Sequence, residues 1–188
     1  MYGSGLRLSE SVALRVHDID FEQKELKVRE TQTGAIARTT VLPASLEIFL
    51  RRHLAHIKYQ HEDDCLAGFG KAFLPDAVLR RFPQAAEEFG WQYLFPATKL
   101  SLVGGENDFV RLHLAESTVQ KAVAESIGKA RIEKYGGCQT LRYSFASRLF
   151  ELNCAVHTIS RLLGHKNLKT TLNYFSSNGN RTVISPLD

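Results

Sequence analysis

The chain has 188 residues, of which 24 are basic, 20 are acidic and 44% are hydrophobic, values that are ordinary for one globular domain and exclude a disordered chain. No apolar run approaches the ~20 residues that span a bilayer, so we expect no membrane partner. The three cysteines, Cys65, Cys138 and Cys154, form no C-x-x-C pair, which excludes a disulfide framework and favours a reducing, cytoplasmic location.

The first predicted elements are a helix and a hairpin. Residues 8–16 are expected to form a short helix. Segments 25–30 and 38–42 alternate in character and flank the turn sequence TQTG at 31–34, which predicts a β-hairpin. Pro43 fits the first turn of a helix that continues to about residue 61. The apolar stripe of that helix is expected to consist of Leu46, Ile48, Phe49, Leu54 and Ile57.

The middle of the chain is predicted to be mixed. Pro75 and Pro83 bracket a short helical run, and residues 85–89 are compatible with a second short helix. Residues 91–95, WQYLF, are expected to form a strand, and residues 97–108 to form a loop.

Helices are predicted for the remainder of the chain. Ser117 and Gln120 fit a capping box, so a helix should begin near Thr118 and run to about 127–128. The glycine pair at 136–137 interrupts the next segment. Three helices should follow, one with Leu141, Phe145, Leu149 and Leu152 on one face, one with Val156, Ile159 and Leu163 that stops at Gly164, and one around 168–175 before a polar tail, 176–188.

These elements predict an α+β fold that is mainly helical and has a small antiparallel sheet. No linker rich in Pro, Gly or Ser divides the chain, so residues 1–188 are expected to form one domain. Basic residues concentrate in its last part: residues 1–110 carry 13 basic and 15 acidic side chains (net −2), and residues 111–188 carry 11 and 5 (net +6). A basic surface attracts the phosphates of nucleic acids, although a solvated surface without a partner would look the same.

Three motifs lie in the basic part: QTLRYSFAS at 139–147, LLGH at 162–165 and TTLNY at 170–174. A fourth, GLRLSE, lies at 5–10. Together they resemble the tyrosine recombinase (phage integrase) family, whose members show G-L-R-x-S-E, H-x-L-R-H-S-F-A-T, L-L-G-H and T-T-x-x-Y. The resemblance implies the family's catalytic domain, with its mainly helical α+β fold.

Two further segments are similar to integron integrases. FPQAAEEFGWQYLFP at 82–96 resembles an extra segment found in those enzymes, and ISPLD at 184–188 resembles their ending. The resemblance therefore covers residues 2–188. The family also has an N-terminal core-binding domain that clamps DNA, and we expect that domain to be absent from this chain.

The resemblance implies four site residues. Tyr174 is the expected nucleophile, because a tyrosine hydroxyl can form a phosphodiester link that conserves the bond energy for rejoining. Arg7 and Arg142 are expected to hold the phosphate with permanently charged, bidentate donors. His165 is expected to donate a hydrogen bond to the same phosphate. Without the motifs, these residues would be interpreted as an edge-packed tyrosine, surface ion pairs and a helix-capping histidine.

Two positions with catalytic roles in the family depart from its pattern, and Tyr143 also stands where the family commonly has a histidine. Gln139 stands where the family has a histidine, and glutamine donates a hydrogen bond but cannot shuttle a proton. The turn at 31–35 lacks the lysine that protonates the leaving 5′-oxygen, and Gln32 is nearest to it by alignment. Arg29 or Arg38 could reach the phosphate, but arginine is a poor proton donor. Losing a general acid costs about 10²–10⁴-fold in rate.

The expected function is site-specific DNA recombination through a 3′-phosphotyrosyl intermediate. Double-stranded DNA is the expected partner, family members act as tetramers on it, and no metal, ATP or organic cofactor is implied. One alternative is an impaired recombinase remnant that binds DNA without efficient cleavage, and another is a nicking enzyme similar to topoisomerases. His53, His56 and His61 precede acidic residues and could also suggest a metal site, but the polar side of a helix explains them more simply.

Overall fold

The computed structural model describes residues 1–104 and 108–176 as a mainly helical α+β fold with small antiparallel sheets, as predicted. Its helices are α1 (Leu8–Val12), α2 (Glu47–Leu66), α3 (Asp76–Arg81), α4 (Glu116–Lys129), α5 (Cys138–Glu151), α6 (Val156–Leu163) and α7 (Leu168–Ser176). Its strands are β1 (Ile19–Asp20), β2 (Glu25–Arg29), β3 (Ile36–Val41), β4 (Ser101–Leu102) and β5 (Phe109–Val110).

The predicted hairpin is confirmed as β2 and β3, which pair antiparallel with Leu26 opposite Thr40 and Val28 opposite Arg38. The register shifts between Val28 and Arg29, which is a bulge next to the turn. β1 adds a third strand beside β2 that the sequence did not predict, because two residues are too few to show a period. Leu26 and Val28 are buried, so this face of the sheet joins the core.

α2 begins after a 3-10 turn at Ala44–Leu46, close to the predicted start at Pro43, and it ends at Leu66, beyond the predicted end. The predicted apolar stripe is wrong at its start, where Leu46, Ile48 and Phe49 are all exposed. The residues that face the core are spaced four and three apart, and they are Leu50, Leu54 and Ile57.

The strand predicted at 91–95 is wrong. Phe89–Trp91 forms a 3-10 turn, and Tyr93 makes a single bridge with Arg15. The backbone here pairs with the segment after α1, since Leu94 N donates to the Leu14 carbonyl at 2.7 Å, and this pairing does not extend into a ladder.

Two neighbouring predictions also need correction. Ala85–Glu87 is a 3-10 turn rather than a helix over 85–89. The loop expected at 97–108 contains β4, which pairs with β5, and residues 105–107 lie outside the described residues.

Two predicted helix boundaries were wrong. α4 begins at Glu116 with Ala115 as its N-cap, so Ser117 lies inside the first turn and the predicted capping box does not form. α1 ends at Val12 instead of continuing to residue 16, because the backbone at Arg15 is extended.

The last three helices are confirmed, but Leu152, expected on the apolar face of α5, lies beyond its end and is 61% exposed. Gly164 adopts a left-handed φ of 67° directly after α6, which ends that helix and turns the chain toward α7. α5, α6 and α7 share a hydrophobic core that includes Phe145, Ile159, Leu163 and Tyr174. This packing brings the motifs at 139–147, 162–165 and 170–174 together. The predicted tail falls outside the described residues from 177 onward.

Within residues 1–104 and 108–176, no helix combines the length and the apolar character that a membrane crossing requires.

Candidate active site

Arg142 is buried at the centre of the candidate site, with 1% of its surface exposed. One of its terminal nitrogens, Nη1, donates to the Gly5 carbonyl, and Nη2 donates to the Leu163 carbonyl at 2.6 Å and to His165 Nε2 at 3.2 Å. Burial lowers the pKa of Arg142, an effect that the Tyr174 hydroxyl opposes. Its Nε finds no hydrogen-bond partner among the described residues, which is uncommon for a buried donor.

Glu10 connects the arginines of the site. Its carboxylate accepts hydrogen bonds from the Arg7 backbone N at 2.7 Å and from Arg7 Nη1 at 2.6 Å, as the spacing of three residues at the start of α1 allows. It lies 3.7 Å from Arg142 Nη1. Burial raises the pKa of Glu10, but hydrogen bonds from Arg38 and Arg7 outweigh burial and lower it to about 2. Glu10 is therefore a carboxylate at neutral pH.

Arg38 reaches the same carboxylate from β3. Its Nη1 and Nη2 donate to the two Glu10 oxygens at 2.8 and 2.7 Å, which is the bidentate geometry of a strong ion pair. Its Nε donates to the Leu162 carbonyl at 2.9 Å. The Arg38 side chain is only 9% exposed, so it bridges α1 and the end of α6 inside the protein.

His165 follows the left-handed turn at Gly164. Its Nδ1 lies 2.9 Å from Thr171 Oγ1, and its Nε2 receives the hydrogen bond from Arg142. Because arginine only donates, Nε2 is the acceptor and the proton of the neutral ring is assigned to Nδ1. Burial lowers the pKa of His165, and the charges of the neighbouring arginines lower it further, to about 4.

Tyr174 lies on α7 with only 9% of its surface exposed. Its Oη accepts a hydrogen bond from Gln139 Nε2 at 3.3 Å. Its ring centroid is 5.0 Å from that of His165 and 4.1 Å from that of Tyr143. The structure therefore brings together Gln139, His165 and Tyr174, which the sequence had placed in three separate motifs.

Gln32 lies elsewhere. It is exposed in the hairpin turn and lines a cavity of about 600 Å³ whose lining includes Glu10 but not Arg142, His165 or Tyr174. Arg29 lines the same cavity and is already engaged, since its Nε donates to Asp18 Oδ1 at 2.5 Å and its Nη1 to the Gly34 carbonyl at 3.0 Å.

Two of the three α2 histidines have ordinary partners. His53 Nε2 lies 2.7 Å from the Leu94 carbonyl oxygen, and His61 Nε2 lies 3.6 Å from Cys65 Sγ. In the part of the chain that the structure describes, no three His, Cys, Asp or Glu side chains come close enough to hold a metal ion.

The charges of the cluster favour an anion. Arg7, Arg38 and Arg142 contribute three positive charges and Glu10 one negative charge, so the sum is +2. Arg7 is the accessible member, with 43% of its side chain exposed. A cationic cluster beside a phenol and a neutral imidazole suits phosphoryl transfer, in which negative charge spreads over phosphate oxygens.

Residues 1–181 match the phage integrase family. The chain belongs to that family. Among curated relatives, this phage integrase domain is 34% identical over 190 residues to an integrase/recombinase of Escherichia coli, an alignment that covers 100% of this chain and 56% of that protein. It is 26% identical to a XerC-like tyrosine recombinase of Caldanaerobacter subterraneus, covering 93% of this chain and 43% of that protein. The chain spans about half the length of the curated relatives it matches.

Solved structures agree with the fold of this phage integrase domain. XerA recombinase superposes with a TM-score of 0.60 at 19% identity, covering 91% of this chain and 48% of that chain. XerH recombinase bound to its difH substrate gives a TM-score of 0.60 at 18% identity, covering 92% of this chain and 39% of that chain. At these identities the likeness shows the fold alone.

The sequence analysis did not predict the site roles of three residues, which are Glu10, Thr171 and Arg38. Glu10 and Thr171 lie inside the quoted motifs, and the spacing of three residues from Arg7 was a usable signal for Glu10. Arg38 was considered only as a phosphate ligand. Its partners lie 28 and 124 residues away along the chain, so no local pattern reveals them.

Proposed function

We propose that the chain is the DNA-cleaving and rejoining domain of a site-specific tyrosine recombinase. The observation that carries the proposal is the contact between the Tyr174 hydroxyl and Gln139, formed beside His165 and Arg142. Residues from four motifs, spread from 5 to 174, converge there. A chance set of residues so far apart in sequence would not be expected to meet in one partly buried cluster.

The reaction is a pair of transesterifications. Tyr174 Oη attacks a backbone phosphorus, the Oη–P bond forms and the P–O5′ bond breaks. The phenol loses its proton, the 5′-oxygen gains one, and a 3′-phosphotyrosyl link remains. A 5′-hydroxyl of a partner strand then displaces Tyr174 in the reverse chemistry. Nothing is oxidised or reduced, so the sequence of steps needs no redox cofactor.

Arg7 and Arg142 hold the phosphate oxygens in this proposal. Arg7 is accessible, whereas Arg142 is buried and meets the phosphate only after local movement. A phosphate oxygen would give Arg142 Nε the partner it lacks among the described residues. His165 Nε2 accepts in the present arrangement, so it donates to phosphate only after gaining a proton, and the Tyr174 phenol is a nearby source.

A second candidate is a recombinase remnant that binds DNA without efficient cleavage. It is favoured by the missing lysine in the turn at 31–35 and by the engagement of both nearby arginines. Arg29 is paired with Asp18, and Arg38 with Glu10. No general acid for the leaving 5′-oxygen is evident among these side chains.

The finer parts of the proposal are the integron type, double-stranded DNA as partner and a tetramer on DNA. The segment at 82–96 and the family motifs support them. We also propose that residues 1–188 form one catalytic domain, and that the tail, 176–188, is the C-terminal segment that neighbouring subunits exchange.

A nicked suicide substrate tests the proposal, because cleavage on it is irreversible and leaves a covalent adduct on a denaturing gel. We expect a slow adduct from the wild type and none from Tyr174→Phe. No wild-type adduct, but one from Gln32→Lys combined with Gln139→His, would establish the remnant. No adduct from either would leave DNA binding as the remaining function.

Salt titration tests DNA binding separately. Contacts with phosphates release counterions, so affinity for duplex DNA should fall linearly on a log–log plot against salt. Arg7→Gln should lower the magnitude of the slope by about one. A lack of binding at low salt would count against both candidates.

A further inference from the structure

The candidate site contains an acid where an anion is expected to bind. An ionised carboxylate near a phosphodiester repels it, and it also cancels the charge of one arginine. Glu10 is ionised at neutral pH, and it touches Arg7 and lies 3.7 Å from Arg142. Some other cation must neutralise Glu10 if both arginines are to keep their charge for the phosphate.

Arg38 has the geometry to do so. Its two terminal nitrogens meet the two carboxylate oxygens of Glu10, one each, at 2.8 and 2.7 Å. A forked guanidinium matches a carboxylate in this way, whereas the ammonium of lysine is a point charge. If the charge of Arg38 balances that of Glu10, the two positive charges of Arg7 and Arg142 remain uncompensated.

The same side chain also fixes the turn that carries His165. Arg38 Nε donates to the Leu162 carbonyl, and the aliphatic part of Arg38 passes directly over Gly164. A Cβ at Gly164 would lie 2.8 Å from Arg38 Cδ, so glycine provides the space as well as the left-handed turn. Arg38 therefore contacts the backbone on which His165 is placed.

We propose that Arg38 is a positioning residue of the phosphate site, which neutralises Glu10 and clamps the 162–164 turn so that the positive charges of Arg7 and Arg142 are not cancelled and His165 is aligned for the phosphodiester. This inference rests on the proposed function. Arg38 is assigned no contact with a reacting atom in it, because its side chain is only 9% exposed and each of its three nitrogens donates a hydrogen bond within the protein.

The proposal has a consequence for His165 that does not depend on DNA. Charged and titratable groups face this imidazole from several elements: Arg7 and Glu10 from α1, Arg38 from β3, Arg142 from α5 and Tyr174 from α7. Burial is the largest cause of the low pKa of His165, about 4, and Arg38 is one of the three cations that lower it further.

The test compares three variants of the 188-residue chain. Arg38→Gln removes the charge, Arg38→Lys keeps the charge but loses the fork, and Arg51→Gln removes an arginine that pairs with Glu47 on α2, outside the cluster. The adduct rate on the suicide substrate reports alignment. An NMR titration of the His165 ring in the free protein reports the charge, and circular dichroism reports folding.

We expect Arg38→Gln to lower the adduct rate about 100-fold, as a small misplacement of reacting groups does. It should also raise the pKa of His165 toward its ordinary 6.5. Arg38→Lys should slow the adduct while leaving the His165 pKa low, and Arg51→Gln should change neither.

A wild-type adduct rate and an unshifted His165 pKa in Arg38→Gln would overturn the inference. If Arg38→Gln does not fold, Arg38→Lys decides, since a wild-type rate there would exclude a need for the fork. A wild-type chain without any adduct would refute the proposed function, while the His165 titration would still decide whether Arg38 sets the charge of the cluster.

Discussion

Gln139 Nε2 lies 3.3 Å from Tyr174 Oη and donates a hydrogen bond to it. The contact joins the first turn of α5 to α7, which follows two helices later. An amide holds the phenol in place but accepts no proton from it. Gln139 therefore orients Tyr174 at this contact but cannot take its proton.

Gln139→His should increase the rate of adduct formation. General acid–base catalysis contributes about 10²–10⁴-fold. A histidine at position 139, beside the Tyr174 hydroxyl, could transfer protons near neutral pH. We expect a gain of at least about tenfold in the adduct rate on the suicide substrate. We do not expect the full effect, because the turn at 31–35 still lacks a lysine. Gln139→Ala is the control. A histidine variant no faster than the alanine variant would exclude proton transfer from this position.

Tyr143 should orient Tyr174 through its ring and not through its hydroxyl. The two ring centroids are 4.1 Å apart, and Tyr143 is 41% exposed. Tyr143→Phe should keep the wild-type adduct rate. Tyr143→Ala should lower that rate by up to about 100-fold, because the proposed nucleophile, Tyr174, loses the aromatic ring that packs against it. An adduct that survives in Tyr174→Phe and disappears in the double phenylalanine variant would show instead that Tyr143 attacks DNA.

Gly5→Ala should destabilise the fold. Gly5 has a φ of +62°, and a Cβ there would lie 2.5 Å from two ring carbons of Phe145. The left-handed backbone alone costs about 1–2 kcal/mol for other residues. Gly128→Ala is the matched control, because Gly128 lies in α4 with no neighbouring atom within 4 Å of a Cβ, and it should stabilise by up to about 1 kcal/mol. Urea unfolding of both variants checks the opposite signs.

Glu10 should make stability depend on acidity. Its pKa falls from 4.5 to about 2 on folding, so its contribution is complete above pH 4.5 and is lost as the pH falls toward 2. The difference in unfolding free energy between wild type and Glu10→Gln should therefore be constant above pH 4.5 and shrink below it. Glu22→Gln, which alters an exposed carboxylate, should stay within about 0.5 kcal/mol of wild type. A difference that does not shrink below pH 4.5 would contradict the prediction.

Local patterns predicted the parts of the fold that local chemistry determines. The TQTG turn gave the hairpin, and Gly164 gave the end of α6, since each acts through backbone geometry at its own position. Local patterns failed where distant contacts decide the structure. They predicted that Ile48 and Phe49 are buried and that residues 91–95 form a strand, and both predictions were wrong. Their burial and pairing depend on segments far along the chain, such as Leu14, whose carbonyl takes up the Leu94 amide.

In the candidate site too, local motifs identified some residues, and only the fold reveals the others. Motifs pointed to Arg7, Arg142, His165 and Tyr174, and the structure brings the last three together, although their catalytic roles remain predictions. Arg38 could not be assigned from the sequence, because its position relative to Glu10 is created by the hairpin and its position relative to Leu162 by α6.

Arg142 donates to the Gly5 carbonyl across 137 residues of sequence. During synthesis on the ribosome, a nascent chain that has emerged only as far as α4 already contains Arg7, Glu10 and Arg38, but it has neither the buried guanidinium nor the phenol. Contacts between distant segments also form late in folding. On the proposed function, competence to break a DNA strand would arise only after Tyr174 on α7 has been translated, so we expect products that end before it to carry no cutting activity.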